Sequence, residues 1–272
     1  MNTDKHGNYA PIHGLELYYE THGAGQPLIV LHGGLGSTDM VAGLTAQLSS
    51  DRQVIAVDSQ AHGRTADIDR PLTLEALSDD IAALIKHLQL EQADVMGYSM
   101  GGLVALQTAI RHPEVVRKLV VVSIPFKRSG WFPEVLEGMS HVGAGAAEGM
   151  KPSPIYQTYA RVAPRPEDWP ILLTKIGDML RQDYDFTDGV KALNIPTLVV
   201  VGDSDSLSPA HATEFFALLG GGKQDAGWDG SGIVTRSQLA ILPNTTHYNS
   251  FASKLLAPIV GPFLDAPLPE SK

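Results

Sequence analysis

Cysteine is absent from the 272 residues, which excludes a disulfide framework and any thiolate metal site and leaves the redox compartment unspecified. Positive charge is scarce: 20 Lys and Arg face 30 Asp and Glu, for a formal charge of −10. No basic cluster offsets it, so the surface repels phosphate backbones and anionic bilayers, and nucleic acid is not expected as a partner. No apolar run nears the roughly 20 residues that a membrane helix needs, and the opening MNTDKHGNYA lacks the basic and apolar regions of a secretion signal. The expectation is a cytoplasmic protein with no membrane partner. HExxH and similar helical spacings are also missing, so no metal site is expected. Self-association leaves no mark in the pattern.

What is present is an ordinary globular composition, 43% apolar and 18% charged, in a chain long enough for one α/β core with a small appendage. A hairpin is expected at IHGLELYYE, with its turn near His13 and Gly14. Short β-branched runs then recur at 27–33, 53–58, 93–97, 118–123, 197–202 and 239–243. Each is continuously apolar, as strands buried on both faces of a parallel sheet are. Between them lie helical patterns, clearest over 73–89, where Leu74, Leu77, Ile81, Leu84, Ile85 and Leu88 share one stripe behind Thr73 as N-cap. Strand and helix alternate as in a doubly wound, mostly parallel sheet.

Residues 124–194 break the rhythm: the pattern turns helical and irregular, with Trp131, Phe132, Tyr156, Tyr159, Trp169 and several prolines. Two readings compete, an insertion with its own small core and a lid over a site. The expected division is a core of 1–123 and 195–272 with a helical cap over 124–194. The glycine-rich stretch 220–232 reads as a loop before the last strand.

The stretch VMGYSMGG carries G-x-S-x-G, with Gly97, Ser99 and Gly101 between a strand pattern and a helix pattern. In that setting a serine on a tight, strained turn lifts its hydroxyl above the sheet, and the glycines let the backbone pass. A serine hydroxyl is a poor nucleophile at neutral pH and needs a base, which needs an acid to orient it. Asp205 follows the next-to-last strand pattern and His247 follows the last, so parallel strands deliver all three to one sheet edge. An oxyanion needs two donors: Met100 N–H is one candidate, and the turn LHGGLGS offers Gly34, with Leu35 as its neighbour.

Five motifs, LHGGLGS, DSQAHGRT (58–65), GYSMGG, GDSDSLSP and PNTTHY, make the chain resemble the α/β-hydrolase family over nearly its whole length. The resemblance implies that fold, a cap inserted after the sixth strand, and a triad of Ser99, Asp205 and His247 with Gly34 and Met100 as the oxyanion donors. The family's acid lies three residues after a strand-ending glycine and four before a proline, which selects Asp205 over Asp203. A serine at the elbow separates the chain from haloalkane dehalogenases and epoxide hydrolases, which use Asp there. The long 220–232 stretch together with DSQAHGRT is more loosely similar to the serine esterases that open macrolide lactones.

Blander readings accompany each residue. Asp203 and Asp205 also suit a turn that bonds its own backbone. Of the other histidines, His62 suits a brace, His32 lies in the oxyanion turn, and His211 opens a helix. Gly34–Asp39 has Asp where a dinucleotide loop needs a third small residue, and GGGKQ lacks the Ser or Thr of a nucleotide-binding lysine loop. The insertion's aromatics suit a local core, while Trp131 and Phe132 beside KRSG are candidate substrate contacts along with Leu35. The implied chemistry is acyl transfer on a small-molecule ester or lactone with no cofactor, and its finer form is inactivation of a macrolide antibiotic. Rivals are C–C bond hydrolysis, thioester hydrolysis or cofactor-free perhydrolysis on the same triad, and a non-catalytic ligand-binding homologue.

Overall fold

The computed structural model describes residues 7–230, 232 and 235–268. Its eight strands are β1 (Gly7–Ile12), β2 (Leu15–His22), β3 (Gln26–Leu31), β4 (Arg52–Val57), β5 (Ala93–Tyr98), β6 (Val116–Val122), β7 (Thr197–Ser204) and β8 (Gln238–Thr246). They form one sheet in the order β1-β2-β4-β3-β5-β6-β7-β8. The β1–β2 hairpin and the β2–β4 pair are antiparallel, and every later pair is parallel. His13 and Gly14 both take positive φ, 47° and 86°, the two left-handed residues of a tight hairpin turn.

The middle positions of the central parallel strands β3 to β7 are apolar because each of those side chains meets a core. Ile29, Leu31, Val95, Val121 and Val199 face one side, while Leu28, Val30, Met96, Val120 and Val200 face the other. This is the period of two that a strand imposes, with both faces covered. Helices α1 (Thr38–Leu48) and, late in the chain, α10 (Leu256–Asp265) cover the second face through Val41, Leu44, Val260 and Phe263. Helices α2 (Leu74–His87), α3 (Met100–Arg111) and, after β7, α9 (Pro209–Leu218) cover the first. Thr73 caps α2, its side chain accepting from Ala76 N–H at 3.1 Å. The helix stops two residues before the sequence pattern does, because Gln89 takes a left-handed φ of 57° and turns its N–H to the Lys86 carbonyl.

Between β6 and β7 lie α4 (Pro133–Ser140), α5 (Ala147–Met150), α6 (Pro154–Val162), α7 (Trp169–Arg181) and α8 (Thr187–Ala192). The aromatics of this segment do form a local core: Tyr156 and Tyr159 pack on Trp169 with ring centres 5.4 and 5.0 Å away. Trp169, Leu173 and Ile176 also join the core on the α3 side of the sheet, so the segment is seated on the body of the protein. Its charged anchors are Lys175, whose ammonium donates to Asp67 and to the carbonyls of Ile68 and Arg70, and Arg161, which pairs with Asp39. Among the described residues no helix is long and apolar enough to cross a membrane.

Candidate active site

Ser99 stands between β5 and α3 with φ 52° and ψ −122°, a strained conformation for a residue with a side chain. The turn is so tight that a Cβ on Gly97 would lie 2.0 Å from the Gly101 carbonyl oxygen, and one on Gly101 would lie 2.4 Å from that of His32. Any larger residue at either position would drive the elbow apart. The glycines thus set the turn, and the turn sets the direction of one hydroxyl.

That hydroxyl lies 3.0 Å from His247 Nε2, and His247 Nδ1 lies 2.9 Å from Asp205 Oδ1. A carboxylate only accepts, so Nδ1 carries the proton and donates it to Asp205, which leaves Nε2 as the acceptor for Ser99 Oγ–H. Asp205 is enclosed by donors. Oδ1 also takes Ser206 N–H at 2.7 Å, and Oδ2 takes the Ser123 hydroxyl at 2.6 Å and Gly202 N–H at 2.9 Å. Burial alone would raise this carboxyl, but the bonds from His247, Gly202 and Ser123 outweigh it and hold Asp205 below the usual carboxylate range. Asp203 serves the backbone instead. Exposed, it accepts Asn244 and Thr245 N–H at 2.9 and 3.1 Å and ties the end of β7 to β8. The backbone of His247 is gripped by Tyr98, the residue before Ser99, whose hydroxyl donates to the His247 carbonyl at 2.7 Å.

Gly34 and Met100 are neighbours across the site, since a Cβ on Gly34 would lie 3.8 Å from the Met100 Cβ, and both line the cleft. The glycine-rich loop is braced from below. His32 Nδ1–H donates to the Gly33 carbonyl at 2.7 Å and its Nε2 accepts Ser59 N–H at 3.2 Å. Only the neutral ring can accept at Nε2 while it donates at Nδ1, and burial pushes His32 down to about 4. Asp58 completes the brace by accepting Thr38 N–H at 2.6 Å and Arg64 N–H at 2.7 Å; burial raises its carboxyl to about 6. His62 lies against His32 with ring centres 5.1 Å apart, and burial, aided by that neighbour, pushes it to about 3. DSQAHGRT therefore supports the loop above it without touching the cleft.

Above Ser99 opens a cavity of about 480 Å³, walled by the sheet edge, the start of α2 and the helical segment. Leu35 and Trp131 line it; Trp131 also sets its ring edge-on to His247 at 5.5 Å and donates Nε1–H to the Tyr184 hydroxyl at 2.8 Å. Phe132 does not. It is 36% exposed and lies outside the cavity lining, because its backbone N–H is tied to the Ser206 carbonyl and the chain turns there into α4, aiming adjacent side chains apart. Sequence reasoning missed Ser123, Tyr98 and Tyr184. The only hint at Ser123 was a serine closing a β-branched strand, where its φ of 57° now marks a second tight turn. Among the described residues no group of three or more His, Asp or Glu is arranged to hold a metal ion.

The family described as "alpha/beta hydrolase fold" matches residues 26–152. The mouse protein "Serine hydrolase BPHL" is 26% identical over 216 residues, 75% of this chain and 72% of that one. "Non-heme haloperoxidase" of Rhodococcus erythropolis is 24% identical over 268 residues, 86% of this chain and 90% of that one. Some curated relatives align over shorter stretches, among them "Putative carbamate hydrolase RutD" of Rhizobium rhizogenes, of whose length the chain covers 43%. In three dimensions the chain resembles E-2-(acetamidomethylene)succinate hydrolase with a TM-score of 0.74 and 21% identity, over 96% of this chain and 99% of that one, a likeness of fold. The fold is the α/β-hydrolase fold, and the proteins the chain is similar to are named as hydrolases and a haloperoxidase.

Proposed function

We propose that the chain is a serine hydrolase that cleaves a carboxylic ester or lactone through an acyl-enzyme. The observation that carries this reading is the unbroken relay from Ser99 Oγ through His247 to Asp205, with links of 3.0 and 2.9 Å. Nε2 of His247 takes the Ser99 proton as Oγ bonds to the substrate carbonyl carbon. Asp205 holds the tautomer that makes Nε2 basic and balances the imidazolium that forms. The negative charge on the tetrahedral oxygen falls to the N–H groups of Gly34 and Met100. As the C–O bond breaks, the imidazolium returns its proton to the departing alkoxide. Water, deprotonated in turn by His247, then attacks the acyl carbon and frees Ser99. No step calls for a cofactor.

A mostly apolar cleft of about 480 Å³ suits a small-molecule ester, within the range of roughly 300–1,000 Å³ common for such sites. A macrolide lactone is the finer form of this reading, supported by the resemblance of the 220–232 stretch and DSQAHGRT to macrolide esterases. Fluorophosphonate labelling tests the nucleophile: wild type reacts at Ser99 and Ser99→Ala does not, while an inert wild type leaves a ligand binder. A panel of p-nitrophenyl esters, a macrolide, an acyl thioester and a ring-cleavage dienoate then ranks the reactions by kcat/KM. A thioester or dienoate leading that ranking overturns the ester reading.

A further inference from the structure

Two hydrogen-bond donors line the cleft without acceptors to match. Arg128 is its only cationic side chain among the described residues. Its Nε donates to the Leu180 carbonyl at 3.3 Å, and no carboxylate of the described residues pairs with it, so both Nη groups are left for a ligand. Tyr184 is similar: its hydroxyl oxygen accepts Trp131 Nε1–H at 2.8 Å, so the phenolic proton remains to be given. Burial keeps that phenol protonated well past neutral pH. The two residues are held together, since Arg128 N–H donates to the Tyr184 carbonyl at 2.9 Å. The remaining charges on the cavity, Glu75, Asp178 and Asp183, are exposed, and Asp178 is paired with Arg181 at 2.8 Å. Arg128 is half-buried at the cleft wall with both Nη groups open, and a planar guanidinium fits a carboxylate in bidentate fashion.

From this geometry we propose that Arg128 and Tyr184 form a carboxylate subsite, so that the ester cleaved at Ser99 carries a free carboxylate on its acyl part. The proposal rests on the ester-hydrolase reading and specifies its substrate class. Arg128 takes both carboxylate oxygens, Tyr184 O–H takes one of them, and the Trp131 indole, fixed between Tyr184 and His247, forms the wall between this end of the substrate and the reacting carbonyl. The exposed acids at the rim repel an acyl chain whose carboxylate overshoots Arg128, which sets an upper limit on its length.

The test compares p-nitrophenyl monoesters of dicarboxylic acids, from succinate to suberate, with the same esters capped as methyl esters. Wild type is expected to favour the free acid at one chain length by at least about tenfold in kcat/KM, the size of one charge-assisted contact. Arg128→Gln should reduce that ratio to about one, and Tyr184→Phe should lower it about threefold. General damage to the fold depresses both esters alike and leaves the ratio standing, which separates it from loss of the subsite. A wild type that prefers the capped ester at every length, or an Arg128→Gln variant that keeps the preference, overturns the proposal. Calorimetry with the free dicarboxylate needs no turnover: binding that Arg128→Gln abolishes supports the subsite even if every ester is inert, an outcome that would sink the hydrolase reading alone. Absence of such binding together with absence of the preference counts against the subsite.

Discussion

The sheet and the helical segment above it are built on different terms. Ser99, Asp205 and His247 sit on turns at the ends of strands buried on both faces, and each turn is pinned by backbone contacts: the glycines of the elbow, Gly202 N–H on Asp205, and Tyr98 on the His247 carbonyl. The segment between β6 and β7 packs well within itself, yet much of its polar hold on the body runs through long cations, Lys175 onto Asp67 and two carbonyls, Arg165 onto the Asp67 carbonyl, and Arg161 onto Asp39. In the proposed reaction the body fixes where the bonds change. The segment governs what arrives there, by contacts that a single substitution can remove.

The sharpest way to break this contrast is on the body. Ser99→Ala should cost about 10⁶ in kcat, the scale set by removal of a triad nucleophile, with the melting temperature held or raised because a strained hydroxyl turn is relieved of its polar demand. Kinetics beside a thermal melt decide it; retained turnover would place the chemistry elsewhere. Asp205→Asn should cost about 10⁴, since the amide favours the wrong histidine tautomer, and Asp203→Asn far less, acting on stability through the β7–β8 tie. The opposite ranking would exchange their roles.

On the segment the effects should be smaller and of another kind. Lys175→Met leaves Asp67, 10% exposed, without its cation, with only the Gln60 amide still donating to it and to the two carbonyls, a loss of about 1–3 kcal/mol in the seating of α7. KM should rise several-fold with kcat little altered, and limited proteolysis should cut first within 124–194. A kcat loss matching that of Asp205→Asn would erase the distinction between the two regions.

The last effect is on pH. His32 and His62 are held near 4 and 3, below the ordinary 6.5, so their share of stability is complete above 6.5 and is lost as pH falls towards those values. Asp58, raised from 3.8 to about 6, acts in the opposite sense: its share is present below 3.8 and lost as pH rises through 6. Two rings against one carboxyl leave a net decline on the acid side, which denaturant melts from about pH 7.5 to 4.5 should resolve. His62→Gln should make that decline shallower, and an unchanged slope would remove the buried ring as its cause.

The strands and the elbow were readable because their causes are local: β-branched runs demand two covered faces, and three glycines around one serine demand a turn that tolerates nothing larger. Asp205 and His247 were readable through order along the chain, which a parallel sheet converts into proximity. Ser123 and Ser250 were not, because a hydroxyl gains value near Asp205 only once the fold joins Ser123 to partners 82 and 127 positions away. Phe132 shows the same limit in the other direction. It directly follows Trp131, and only the entry of the backbone into α4 decides that one ring meets His247 and the other meets water.

The phenol of Tyr98 grips the carbonyl of His247, the proposed base, from the position just before Ser99, the proposed nucleophile, and the Ser250 hydroxyl donates to the same carbonyl at 3.1 Å. The spacing across which the proton travels is therefore tethered to one strand, and the turn that bears the imidazole follows that strand like a gate hung on its own post. Lengthening the chain between Ala252 and α10 should then leave the relay aligned, whereas loss of the phenolic oxygen would leave that carbonyl to the Ser250 hydroxyl alone and let His247 drift while Ser99 and Asp205 are still in place.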